Sequence, residues 1–444
     1  MKLSNMHNPI NLFLIDMSHA DNTSGVDRHI SMLLKGLKAY PFIRVHWIHL
    51  LHGGEILFYR EEYHESYTKM TIPLPQQFNE IIVERFWIRQ YNEQVFRLTE
   101  HLFKGKKNCI LHLHTLNLID LAVFIREQIP CKIIMHLHCI PWKEYYNSNK
   151  RKFNELYRQV YVNEESEINS ADFITNNCEL QSYTDADHIV SGTRCAVDFL
   201  GKVMKKSDEN VSVIPNGIGC GLDPQSPQIT HNLQSHASNG NGEITGQARN
   251  DAGEFKLLYV GVLSKSKGLD YILKAMRKVK LQGYNLSLTV AGTATPPLVK
   301  KLKDENHDLS LHFLGRVPFD ELKKHYCESD AGIIASLQEQ SSYVGVEMAM
   351  FGLPVITTAV DGLDEIFTDN VNALKVNTRF SGVFGLSADV DMMAEKIISL
   401  VTDKELRAKL SKNARALYEK ELTLQRMMQQ TINVYQKVIG ESTK

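Results

Sequence analysis

Short apolar blocks alternate along this chain with stretches whose apolar residues recur at helical spacing. Ile10–Met17 reads as a first strand, and Ile30, Leu33, Leu34 and Leu37 then mark one face of a helix. Cys109–His114 and Lys132–His138 read as buried parallel strands. Phe255–Gly261 is a further strand, followed by a helix over Leu269–Lys280 and strands at Leu286–Gly292 and Leu311–Val317. A helix over Phe319–Cys327 precedes a short buried strand, Gly332–Ser336, and a polar loop to Ser342. Ser342 is a good N-cap, so the next helix starts there and stops at Gly352 and Pro354. Pro354–Val360 is the next strand, and Ala414–Ile439 reads as one closing helix. Strand–helix alternation of this kind predicts an α/β fold with parallel sheets and right-handed crossovers.

The chain has 444 residues, too many for one ordinary core and suited to two domains. The boundaries expected are 1–216, a linker or insertion over 217–253, a second domain over 254–413, and 414–444 crossing back to the first. The stretch from Gly219 to Gly253 lacks apolar periodicity, as an insertion or a lid would. Net charge is −1, which gives no whole-chain attraction to nucleic acid or anionic membranes. Seven scattered cysteines with no Cys-x2-Cys pair favour reduced thiols in a cytoplasmic setting. The apolar run Ile10–Met17 has the length of a strand, not of a secretory signal, and no run suits a membrane span. Pro141–Tyr161 mixes aromatic and basic residues; it reads as an amphipathic helix, with contact at the inner face of a membrane, or a grip on an acidic acceptor, as the alternatives.

Candidate chemistry gathers where strands give way to helices. Glu339 and Glu347 stand with seven residues between them, around the expected N-terminus at Ser342. Free amides there, from Ser341, Ser342, Tyr343 and Val344, offer a phosphate site, with Glu347 one turn inside the helix. Gly25 lies in the first strand-to-helix turn, where a ligand can approach the backbone. His112 and His114 share one strand face, as do His136 and His138. No Asp or Glu accompanies these four histidines, so they read as hydrogen-bonded strand-end groups and no metal is expected. No Asp-x-Asp motif is expected at a strand end either.

Glu339-x7-Glu347, with Gly352-Leu-Pro354 after it, resembles the signature of retaining glycosyltransferases of the GT-B fold, family 4 type. Val211–Ile218, Lys267-Gly268, Asp361–Ile366 and Asn372–Val376 continue the resemblance. It implies two Rossmann-like domains facing across a cleft and a sugar moved from a nucleotide-sugar donor, UDP- or GDP-linked. The acceptor would be a glycan, a lipid-linked sugar or a peptide, and no cofactor is needed. By the same resemblance Lys267 clamps the diphosphate, Gly261 and Lys265 lie on its loop, Glu347 holds the ribose, Glu339 takes sugar hydroxyls and His138 positions the sugar. His114 maps to a structural position. The chain departs from the family at three places: Ser24 replaces a glycine beside Gly25, Gly219 replaces the usual aspartate after Ile218, and Val262 stands where the clamp arginine belongs. Two rivals follow. One is a nucleotide-sugar 2-epimerase on the same scaffold; the other is a non-catalytic partner subunit, to which Val262 points.

Overall fold

The computed structural model describes residues 9–19, 25–53, 56–75, 85–139, 181–203, 208–219, 253–381 and 385–440. Pro141–Tyr161 and nearly all of the expected insertion lie outside them. The chain divides into two compact units, Met1–Gly217 with Leu424–Lys444, and Ile218–Thr423.

The first unit is built on an eight-stranded sheet. Its strands are β1 (Ile10–His19), β2 (Ile43–His52), β3 (Arg60–Tyr63), β4 (Tyr67–Leu74), β5 (Cys109–Leu113), β6 (Cys131–Leu137), β7 (His188–Ser191) and β8 (Val211–Val213). They lie in the order β3-β4-β2-β1-β5-β6-β7-β8. All pairs are parallel except β3 with β4 at one edge. The β2–β4 segment was not anticipated as strands, because its charged and aromatic residues blur the alternation. Side-chain alternation splits β1 between two cores. Phe13 and Ile15 face one layer with Leu111, Leu113 and Ile133; Leu12 and Leu14 face the other with Ile110 and Ile134.

Helix α1 (Gly25–Leu37) follows β1 and buries Ile30, Leu33, Leu34 and Leu37, the expected stripe. Also in this unit are α2 (Arg85–Phe103), α3 (Ile119–Gln128) and α4 (Arg194–Val203).

The second unit carries β9 (Phe255–Val260), β10 (Leu286–Ala291), β11 (Ser310–Gly315), β12 (Ala331–Ile334), β13 (Val355–Thr358) and β14 (Leu374–Val376). These pair in parallel in the order β11-β10-β9-β12-β13-β14. Its helices are α5 (Leu269–Leu281), α6 (Pro296–Glu305), α7 (Phe319–Glu328), α8 (Tyr343–Met350), α9 (Asp361–Ile366), α10 (Val390–Thr402) and α11 (Lys404–Glu421). A hairpin, β15 (Thr378–Ser381) with β16 (Gly385–Ala388), precedes α10.

The expected closing helix is two helices. α11 ends at Leu422 in the second unit, and α12 (Leu424–Val438) belongs to the first. Thr423 bridges to Ile218 at the other strand of the crossover, which interrupts the helix. Met427, Ile432, Val434 and Tyr435 pack among the α1 and sheet residues, while Leu422 is buried in the second unit. Gly36 makes room for Met428, whose Cγ lies 2.3 Å from where a Cβ on Gly36 would sit.

Candidate functional site

In the second unit the chain runs outward through β9, β10 and β11, then restarts on the other side of β9 with β12, β13 and β14. The order therefore reverses between β9 and β12. In open α/β sheets ligands bind outside the carboxyl ends of strands at this switch point. Lys267 follows β9 and Glu339 follows β12, and the two meet there: Lys267 Nζ lies 2.6 Å from Glu339 Oε2. Ser336 Oγ donates to the same carboxylate oxygen at 3.3 Å. Backbone bonds fix both loops. The Leu337 amide donates to Ser266 O at 2.8 Å, and the Gly362 amide, at the start of α9, to Glu339 O at 2.8 Å.

Gly268 ends the Lys267 turn with φ +71°, and a Cβ there would sit 2.0 Å from Ala335 O. Glycine is required on both counts, by the left-handed backbone and by the close approach of the two loops. Gly261 sits at the end of β9, and Tyr259 Oη donates to Val262 O at 3.0 Å. The Val262 side chain is about half exposed, at 51%. Lys265 is exposed on the same turn, and its ammonium has no partner among the described residues.

Helix α8 begins as the sequence predicts. Ser342 is its N-cap, and its hydroxyl accepts from the Gly345 amide at 3.1 Å. Ser341 and Val344 are half-buried and Tyr343 is buried, so this terminus stands at the edge of the loop site. Arg415 of α11 donates to Met350 O at the other end of α8 and pairs with Glu419 at 2.7 Å. Cationic groups suit a helix C-terminus.

Glu347 departs from the expected picture. Its side chain is fully buried at 0% exposure and accepts a hydrogen bond from the Tyr326 hydroxyl of α7. It faces the packed layer under α8, not open ground. The expectation about Asp-x-Asp also needs correction. Asp389 and Asp391 follow β16 directly. Asp389 is spent capping α10 at the Met392 amide and pairing with Arg379, and Asp391 pairs with Lys278. That separation was invisible in sequence because the β15–β16 hairpin has no strong strand pattern.

The other predicted site residues, Gly25 and His138, belong to the first unit. Its sheet order reverses between β1 and β5. Among the described residues, a Cβ on Gly25 would meet nothing within 4 Å. His112, His114, His136 and His138 gather on one sheet face at the carboxyl ends of β5 and β6. His29 of α1 joins them, its ring 4.3 Å from His136 and 5.0 Å from His138. The polar turn before His29 hid it in the sequence; its place directly before Ile30, the start of the buried stripe, was the available signal. His29 Nδ1 bonds Asn216 Oδ1 at 3.0 Å, His112 Nδ1 bonds Tyr435 Oη at 2.8 Å, and His114 Nδ1 bonds His138 Nε2 at 2.9 Å. Burial drives the His29 pKa down to about 4 and that of His112 to about 3. Burial first, and neighbouring imidazoles second, hold His114, His136 and His138 well below the usual value.

Residues 242–417 match the family profile described as glycosyl transferases group 1. Among curated proteins, an uncharacterised glycosyltransferase of Methanocaldococcus jannaschii is 31% identical over 187 residues, 41% of this chain and 45% of that protein. The capsular polysaccharide biosynthesis glycosyltransferase CapM of Staphylococcus aureus is 26% identical over 195 residues, 42% of this chain and 47% of that one. These alignments therefore span about half the length of the curated relatives.

A sucrose-phosphate synthase from Thermosynechococcus elongatus superposes with TM-score 0.69 at 17% identity, over 98% of this chain and 100% of that one. Anabaena HepE in complex with UDP-glucose does so with TM-score 0.65 at 15% identity, over 96% and 99%. The fold is GT-B. Among the described residues no helix is long and apolar enough to cross a membrane.

Proposed function

We propose that this chain is a retaining glycosyltransferase whose second unit binds a nucleotide-sugar donor, UDP-linked in preference to GDP-linked. The observation that carries the reading is the Lys267–Glu339 pair at the switch point, beside the Ser342-capped start of α8. Solved relatives of the same fold hold UDP or UDP-glucose, which favours the uridine nucleotide.

In this reading the bond between the anomeric carbon and the diphosphate oxygen breaks as the acceptor oxygen bonds that carbon on the same face. The acceptor's proton passes to the departing phosphate oxygen. Negative charge grows on the diphosphate, and fixed donors aimed at it stabilise the transition state. Lys267, with Lys265 on the same turn and the first amides of α8, provides those donors. Glu339 takes donor-sugar hydroxyls while holding Lys267 in place. Glu347, buried against Tyr326, is assigned the ribose on the resemblance alone.

A second reading has one specific observation behind it. Val262 replaces the clamp arginine, and a relative of similar alignment length is the GPI3 subunit of a yeast phosphatidylinositol N-acetylglucosaminyltransferase, 23% identical over 225 residues. A subunit without its own donor site would bind no nucleotide. Thermal unfolding with UDP separates the two: a true donor site raises Tm, since ligand at a hundredfold excess over Kd stabilises by about 2.7 kcal/mol. An unchanged Tm with UDP and with GDP would favour the subunit.

A further inference from the structure

The five-histidine cluster of the first unit contains three nitrogens with no role in the hydrogen bonding around them. His112 Nε2, His114 Nε2 and His136 Nδ1 are buried and have no hydrogen-bond partner among the described residues. Their residues are only 1%, 3% and 5% exposed. A buried polar atom left unpaired costs free energy, and three together demand an explanation. The same three residues offer ligand atoms that all lie within 4.8 Å of one another.

We propose that His112, His114 and His136 form a site for a late first-row divalent cation, zinc above all, independent of the donor site in the second unit. Imidazole nitrogens are the ligands this class of metal prefers. Three nitrogens about 2.0–2.1 Å from a tetrahedral zinc stand roughly 3.3 Å apart, so small side-chain rotations close the triad. A tetrahedral site would need a fourth ligand, and a bound hydroxide would also supply the negative charge that no nearby carboxylate gives.

The groups around the triad fit. A metal-bound histidine fixes its other ring nitrogen with a hydrogen bond. His112 does so through Nδ1 to Tyr435 Oη at 2.8 Å. His114 does so through Nδ1 to His138 Nε2 at 2.9 Å. With His114 Nε2 on the metal, its Nδ1 must carry the proton and donate to His138.

The test uses the full chain, dialysed against a weak chelator and then assayed for bound metal after zinc addition. The site predicts close to one zinc per chain, and cobalt in its place giving the intense visible bands of a low-coordinate ion. His112→Gln and His136→Asn, checked for folding by circular dichroism, should lose it, and exposed His312→Gln should keep it. Should both buried variants misfold, long-range proton–nitrogen spectra of the wild type decide. Zinc must then shift His112 Nε2, His114 Nε2 and His136 Nδ1. Absence of stoichiometric zinc in the wild type, or zinc shifts confined to exposed histidines, would overturn the site.

Discussion

Lys267 and Glu339 neutralise one another across 2.6 Å, and that pairing bears on what each can do in the proposed donor site. The ammonium has three donors, so contact with phosphate need not break the ion pair. Lys267→Ala should lower turnover by about 10²–10³-fold, the usual loss for one transition-state donor, with a smaller loss in UDP affinity. Steady-state kinetics beside calorimetry checks this; equal losses in both would make Lys267 a plain binding group. Val262→Arg is the converse change. The position is half exposed, so the longer side chain meets no core, and a bidentate fork should tighten UDP binding. Weaker binding would show that another contact already occupies that ground. Glu347→Gln should weaken UDP binding by about 1.5–3 kcal/mol, as for hydrogen bonds to a charged group. Tyr326→Phe is its control. If both lower Tm and neither alters UDP affinity by calorimetry, Glu347 serves only to hold α8 against α7.

At the scale of elements, α8 and its loops were legible because each boundary has its own local chemistry. Ser342 caps, Gly352 turns left-handed at φ +62°, and β12 and β13 are short apolar blocks of the expected kind. What stayed hidden depended on partners distant in sequence. Arg415 holds the end of α8 from 65 residues away, and no periodicity marks it. Arg415→Met should cost roughly 1.5–3 kcal/mol, read as a shift in denaturant midpoint, because a charged donor to a buried carbonyl is lost. Gly268→Ala should destabilise by more than about 1 kcal/mol, since both the left-handed backbone and the neighbouring carbonyl oppose a Cβ. A wild-type midpoint would mean the turn can open away from Ala335. The break between α11 and α12 was likewise unreadable: Leu422 and Thr423 carry no glycine or proline, and the interruption comes from the pairing with Ile218.

Across the whole molecule, two sheets each reverse strand order once, and each reversal gathers the polar side chains that set its unit apart. The second unit brings Lys267 to Glu339 from loops 72 residues apart. The first brings His29 to histidines of β5 and β6. Motif spacing revealed the second gathering because both residues belong to a resemblance, whereas the first rests on which strands become neighbours. Retaining transfer from a UDP-sugar is tested most directly by proton NMR of the chain incubated with UDP-sugars, following both UDP release and the anomer of the freed sugar. It predicts UDP release from at least one donor, with the sugar appearing first in the donor's own anomeric configuration. Appearance of the opposite anomer would contradict retention, and no release from any UDP- or GDP-sugar, together with no nucleotide binding, would contradict the transferase itself.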